Sequence, residues 1–167
     1  MSITTVTAAI RSFLAPVPGI TKLYKDAPWE ISGDNWQTNT LPGTPAFIHI
    51  DRSTESRIAL GGEHGGHKEV EYTVSLVLLY QYLIPSDLAG ADKDVWVDGL
   101  NTLLDAVVDR IRSDRSFGCG AAGPIFEAGN QDQGIQIARD LPHWDTGGGK
   151  VRSWVRVEFK VTEIVNA

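Results

Sequence analysis

The feature that most constrains this chain is a run of alternating residues in its middle. From Val70 to Ile84 the even positions are Val70, Tyr72, Val74, Leu76, Leu78, Tyr80 and Tyr82. The odd positions begin with Glu71, Thr73 and Ser75 and turn apolar at Val77, Leu79 and Leu83. Successive side chains of a strand point to opposite faces, so this pattern predicts a β-strand with one buried face. At about 3.3 Å per residue the run reaches roughly 50 Å, well beyond the usual strand of five or six residues. Part of it is therefore expected to outrun its own domain. The second half, apolar on both faces, is expected to be covered by helix, by sheet or by a neighbouring subunit. A second alternation lies near the C-terminus, where Val151, Ser153, Val155, Val157, Phe159 and Val161 interleave with Arg152, Trp154, Arg156, Glu158, Lys160 and Thr162. That segment reads as a strand with one core face and one wet face.

Helical periodicity appears twice. Ile3, Val6, Ile10, Phe13 and Leu14 recur at spacings of three and four before Pro16 and Pro18, which predicts an amphipathic helix stopped by the prolines. From about Asp92 or Asp94 to Ser116 a longer helix is expected, with Trp96, Leu100, Leu103, Leu104, Val107 and Ile111 on one face and Gly118 suited to ending it. Shorter strands are expected at Ile20–Tyr24, Pro45–Asp51, Arg57–Leu60, Ile125–Gly129 and Ile135–Arg139, with loops at Asp26–Thr44 and Gly61–His67. Together these elements predict one α+β domain over residues 1–167. Its sheet is mixed and mainly antiparallel, with a long central strand and two main helices packed against it.

Composition narrows the function classes. Fifteen Lys and Arg against 21 Asp and Glu leave a net charge of -6, which supplies no basic field for autonomous nucleic-acid binding. One cysteine, Cys119, forms no internal disulfide and calls for no oxidising compartment. The uncharged stretch Tyr72–Ser86 is shorter than the roughly 18 residues a membrane helix needs, so no membrane association is expected. The opening Met1–Val6 has no cationic lead before an apolar run and is not read as a signal peptide.

No catalytic constellation emerges. Glu63, His64, His67 and Glu69 cluster in a glycine-flanked loop, and His49 is expected on a nearby strand. Imidazoles three apart chelate metals, but no cysteine or second His pair completes a four-ligand shell. Gly147-Gly148-Gly149-Lys150 lacks the earlier glycine and the following hydroxyl of a phosphate loop, having Trp144 and Val151 there. Glycines there suit a hairpin into the final strand. No G-x-S-x-G occurs. At 100° per residue, Asp94, Asp98, Asp105 and Asp109 form a narrow acidic stripe on the second helix. Equivalent aspartates on a ridge do not make an acid and base pair, which needs differing environments in a cleft.

The order of elements is informative. A first helix ending in Pro18-Gly19-Ile20 precedes a loop to Leu41-Pro42 and Pro45-Ala46-Phe47-Ile48. Then come Arg57-Ile58-Ala59-Leu60-Gly61-Gly62, Val70-Glu71-Tyr72-Thr73-Val74-Ser75-Leu76 and a long helix. This layout resembles the tail terminator proteins of long-tailed bacteriophages, and the likeness covers most of residues 1 to 165. Related tail-completion and neck proteins share it. The resemblance implies a subunit without enzymatic activity or cofactor, located in the virion after assembly in the host cytoplasm. Six copies would ring the head-proximal end of the tail tube, halt its growth and present a docking face to the head connector. Its implied partners are copies of itself, the tail tube protein and the connector or neck protein, with genomic DNA a passing, non-specific cargo.

On this reading Trp29, Trp36, Leu78, Tyr80 and Tyr82 are candidate interface residues. Asp94, Asp98, Asp105 and Asp109 are a candidate lumen face or partner face. The alternatives are a neck or head-completion protein of the same assembly, or a small metal-dependent enzyme or binding module using His49, His64 and His67.

Overall fold

The computed structural model describes residues 3–27, 44–57, 67–83, 94–120, 125–126, 134–145 and 149–166. Two helices, α1 (Ile3–Leu14) and α2 (Val95–Ser113), pack on a mixed sheet. Its strands are β1 (Ile20–Tyr24), β2 (Thr44–Arg57), β3 (His67–Leu83), β4 (Ile125–Phe126), β5 (Gln136–Arg139), β6 (His143–Asp145) and β7 (Lys150–Asn166). The spatial order is β1-β2-β3-β7, and the short β4, β5 and β6 line the outer edge of β7 in turn. Among the described strands only β1 with β2 is parallel. The expected α+β architecture with a long central strand is present.

The centre of the sheet is β3, which β7 flanks in unbroken antiparallel register from His67 to Leu83. On its other side β2 pairs from Lys68 to Leu78, with an irregularity between Ile50 and Arg52. Cross-strand partners share a face, so apolar rows form across the sheet: Ala46, Leu78 and Val155; then Ile48, Leu76 and Val157; then Ile50, Val74 and Phe159. Except for half-buried Ile50, all of these are buried. Both helices lie over this face. Val6, Ile10, Phe13 and Leu14 of α1 and Leu100, Leu103, Leu104, Val107 and Ile111 of α2 complete one core.

Two arginines tie the layers. Arg110 Nε donates to the Phe13 carbonyl (3.0 Å), one of the carbonyls left over at the end of α1, and its guanidinium lies 4.0 Å from the Phe13 ring centroid. Arg11 Nε donates to the Leu23 carbonyl of β1 (2.8 Å). The second helix stops at Ser113, short of the expected Ser116, because Asp114 turns the chain. Its carboxylate accepts from the Ser116 and Gly118 amides and the Ser116 hydroxyl, and these bonds hold it below the usual carboxylate range. Phe117 takes a left-handed φ of 50°, a conformation costly for an aromatic residue. Burial against Phe13 (5.4 Å, edge-on) and Phe159 (6.0 Å) offsets that cost.

Three sequence expectations need correction. First, β3 is bracketed by β2 and β7 of its own chain. Its even positions from Tyr72 to Tyr80 all belong to the core, and the sheet becomes more exposed only towards the N-terminal end of β3. There Asp51–Ser56 of β2 are exposed and Lys68–Glu71 of β3 half-buried. Second, β2 is one strand to Arg57, so the separately expected strand at Arg57–Leu60 begins inside it, and Ile58–Leu60 lie outside the described residues. Third, the face of β7 expected to be wet is not uniformly so, since Arg152 is 4 % exposed and Leu79, the cross-strand partner of Trp154 on the same face, is 1 % exposed. The sequence reading also missed β6.

Helix α2 carries a glycine at its start for a packing reason. A Cβ on Gly99 would stand 2.5 Å from the Tyr80 hydroxyl oxygen. Gly99→Ala is expected to lower stability by about 1 kcal/mol, since overpacking outweighs the better helix propensity of alanine. Denaturant unfolding of the single variant and of Gly99→Ala with Tyr80→Phe checks this, because removing the hydroxyl relieves the crowding and restores most of the loss.

Candidate functional site

The helices cover one face of the sheet, and the other carries the polar chemistry. At its middle a bulge in β2 sets Asp51 beside Ser75 of β3 and Arg156 of β7. The Ser75 hydroxyl donates to Asp51 Oδ2, and Arg156 donates through Nη2 to Asp51 Oδ1 and through Nε to Ser75 Oγ (2.7 Å). Ser75 is buried, whereas the Asp51 and Arg156 side chains are 25 % and 46 % exposed. Partial burial pushes the Asp51 carboxyl up, but the Ser75 and Arg156 hydrogen bonds, with the charges of Arg156 and His49, outweigh it and hold the carboxyl below its ordinary value. Glu158 stands 3.7 Å from Arg156, and His49 Nδ1 lies 3.3 Å from Asp26 Oδ1.

Beside this cluster the sheet surface is apolar. Phe47 and Trp154 meet edge to face at 6.3 Å, and with Val77 and Ala138 they line an open groove of about 540 Å³ whose other walls include His49, Asp51, Asp140 and Arg156. The groove falls within the roughly 300 to 1,000 Å³ range of ligand pockets. It is open to solvent, and its described lining has no nucleophile paired with a base: the Ser75 proton goes to a carboxylate already bound to a guanidinium. The arrangement suits binding.

A second buried polar pair lies on the helix-covered face, where the Tyr72 hydroxyl donates to Glu163 Oε2 at 3.3 Å. Burial, then the Glu163 charge and this hydrogen bond, push the Tyr72 phenol up to about 12.

The residues singled out by sequence are scattered. Leu78 is fully buried and Tyr80 nearly so, inside the chain's own core, so neither is surface. Tyr82 is half-buried against the same core. Trp29, Trp36 and His64 lie outside the described residues. The imagined His49, His64 and His67 group is not assembled. His49 pairs with Ser75, eight positions along β3 from His67, about 26 Å away at about 3.3 Å per residue. Among the described residues no group of three or more His, Cys, Asp or Glu stands together as a metal site, and no helix is long and apolar enough to cross a membrane. Asp94, Asp98, Asp105 and Asp109 are all exposed along the outer side of α2, as the helical wheel requires. Cys119 is exposed.

The sequence reading missed the Asp51, Ser75 and Arg156 cluster. The available signal was the appearance of Ser75 and Arg156 on the polar faces of the two longest alternations, but nothing local says that they become neighbours. Comparison with protein-family models finds no match, and comparison with curated proteins finds none either.

Two pH dependences follow. Asp51 titrates below its unfolded value, so its contribution is complete above pH 4 and is lost as pH falls through the lowered value. Asp51→Asn is expected to flatten the acid limb of the stability curve, measured by urea unfolding from pH 2 to 6. For Tyr72 the sign reverses. The unfolded phenol ionises near 10.0 and the folded one near about 12, so stability falls as pH rises across that window. The loss is about 2 to 3 kcal/mol, and Tyr72→Phe is expected to reduce the slope.

Proposed function

We propose that this chain is a structural subunit that closes the head-proximal end of a bacteriophage tail tube as a six-membered ring, ending tube growth and forming the head-to-tail joining surface. The reading begins from the layout that resembles tail terminators. The observation that supports it best is the asymmetry of the sheet's two sides. Among the described residues, no strand pairs with the outer edge of β2 beyond Phe47, from Ile48 to Arg57. On the opposite side β7 is covered piecemeal by three short strands. An open strand edge is a template for association. Two unlike sides join head to tail, and such contacts close into rings when the rotation allows. The four exposed aspartates outnumber the one exposed arginine, Arg112, that shares their side of α2, and this net negative strip does not favour retention of passing DNA.

Light scattering with negative-stain imaging tests the proposal. The isolated chain, alone or with purified tail tubes, is expected to form six-membered rings seated at one end of each tube and to stop further tube polymerisation. A chain that stays monomeric, leaves tube ends bare and does not limit their length would refute it. Asp98→Lys with Asp105→Lys, both at exposed positions, is expected to leave folding unchanged and to slow passage of DNA through the joined particle, read as reduced infectivity with intact rings.

A further inference from the structure

Among the described residues, the carboxylates in and around the groove on the sheet face opposite the helices outnumber the cations. Asp51 and Arg156 compensate each other within the hydrogen-bonded cluster. Glu158 adds a second carboxylate 3.7 Å from the same guanidinium, and Asp26 a third near His49. Asp140 lines the groove at an exposed position; among the described residues its carboxylate accepts no hydrogen bond and joins no ion pair, and its backbone is engaged by Trp154 and Ser153. Between Asp140 and the cluster the floor is apolar and aromatic, formed by Phe47, Val77 and Trp154.

An aromatic floor bordered by excess negative charge fits a group with an aliphatic stem and a cationic end. The stem of lysine or arginine covers apolar surface while its charge stays in water. Indole is the strongest cation-π partner among side chains. Anions are opposed by the surrounding carboxylates. An open groove, unlike an enclosed cavity, admits a side chain still attached to a polypeptide.

We propose that this groove is a docking site for a basic segment of a partner protein, which lays an arginine or lysine stem across Phe47 and Trp154 and directs its charge to Asp140. The assignment does not depend on the ring reading, since it uses a different face of the sheet.

The test uses the full chain labelled with nitrogen-15, with hexa-arginine as probe and hexa-glutamate as control at about 0.15 M salt, where surface attraction beyond about 8 Å is screened. Saturable shifts of the Trp154 indole and of the Val77 and Asp140 amides with hexa-arginine are expected, with none from hexa-glutamate. Asp140→Lys, an exposed substitution, is expected to weaken binding about tenfold, because attraction becomes repulsion. Asp98→Lys with Asp105→Lys on α2 is expected to leave it unchanged. The proposal is overturned if the shifts map to α2, if Asp140→Lys binds as tightly as the parent, or if hexa-glutamate occupies the groove. It is equally overturned if the same signals move with protein concentration alone, which would make a second copy the occupant.

Discussion

The structure depends on the pairing of β3 with β7. These strands lie far apart in sequence, yet they run side by side from His67 to Leu83 without a break in register. A slip of one residue would turn Val74, Leu76 and Leu78 away from the helices and bring Ser75 and Val77 under them. The apolar rows therefore lock the register, and the helices lock the rows. Arg11 and Arg110 then hold the layers together by occupying carbonyls of a neighbouring element.

The same register creates the chemistry of the opposite face. Once Leu76 is committed to the core, Ser75 must point the other way, and the pairing of β7 brings Arg156 within 2.7 Å of it. The bulge in β2 then supplies Asp51. A buried hydroxyl and a guanidinium share one carboxylate there, and the apolar groove begins beside them. The β2 edge left unpaired among the described residues and the charged groove thus lie on the same strands that form the core. A ring contact along the sheet edge and a basic segment in the groove would use separate surfaces of one subunit.

Much of the architecture was legible in the chain. Alternation over Val70–Ile84 and Val151–Thr162 marked the two longest strands, and spacings of three and four marked both helices, since strand and helix periods are local properties. The acidic stripe of α2 was legible for the same reason, and all four aspartates are exposed. Leu78 and Tyr80 were misjudged because a long apolar strand half looks the same whether its cover is a neighbouring copy or its own helices. Here the cover is α1, α2 and the flanking strands.

By itself, the sequence determined the element types, the face of each that is apolar, and hence a helix-on-sheet α+β fold, because these follow from side-chain period and backbone propensity. Tertiary structure alone decided which polar residues became neighbours. It joined Asp51, Ser75 and Arg156 across separations of 24, 81 and 105 residues and kept His49 and His67 apart along one strand pair. Strand register is a non-local quantity, set by how whole rows of side chains fill the core, and no local pattern encodes it.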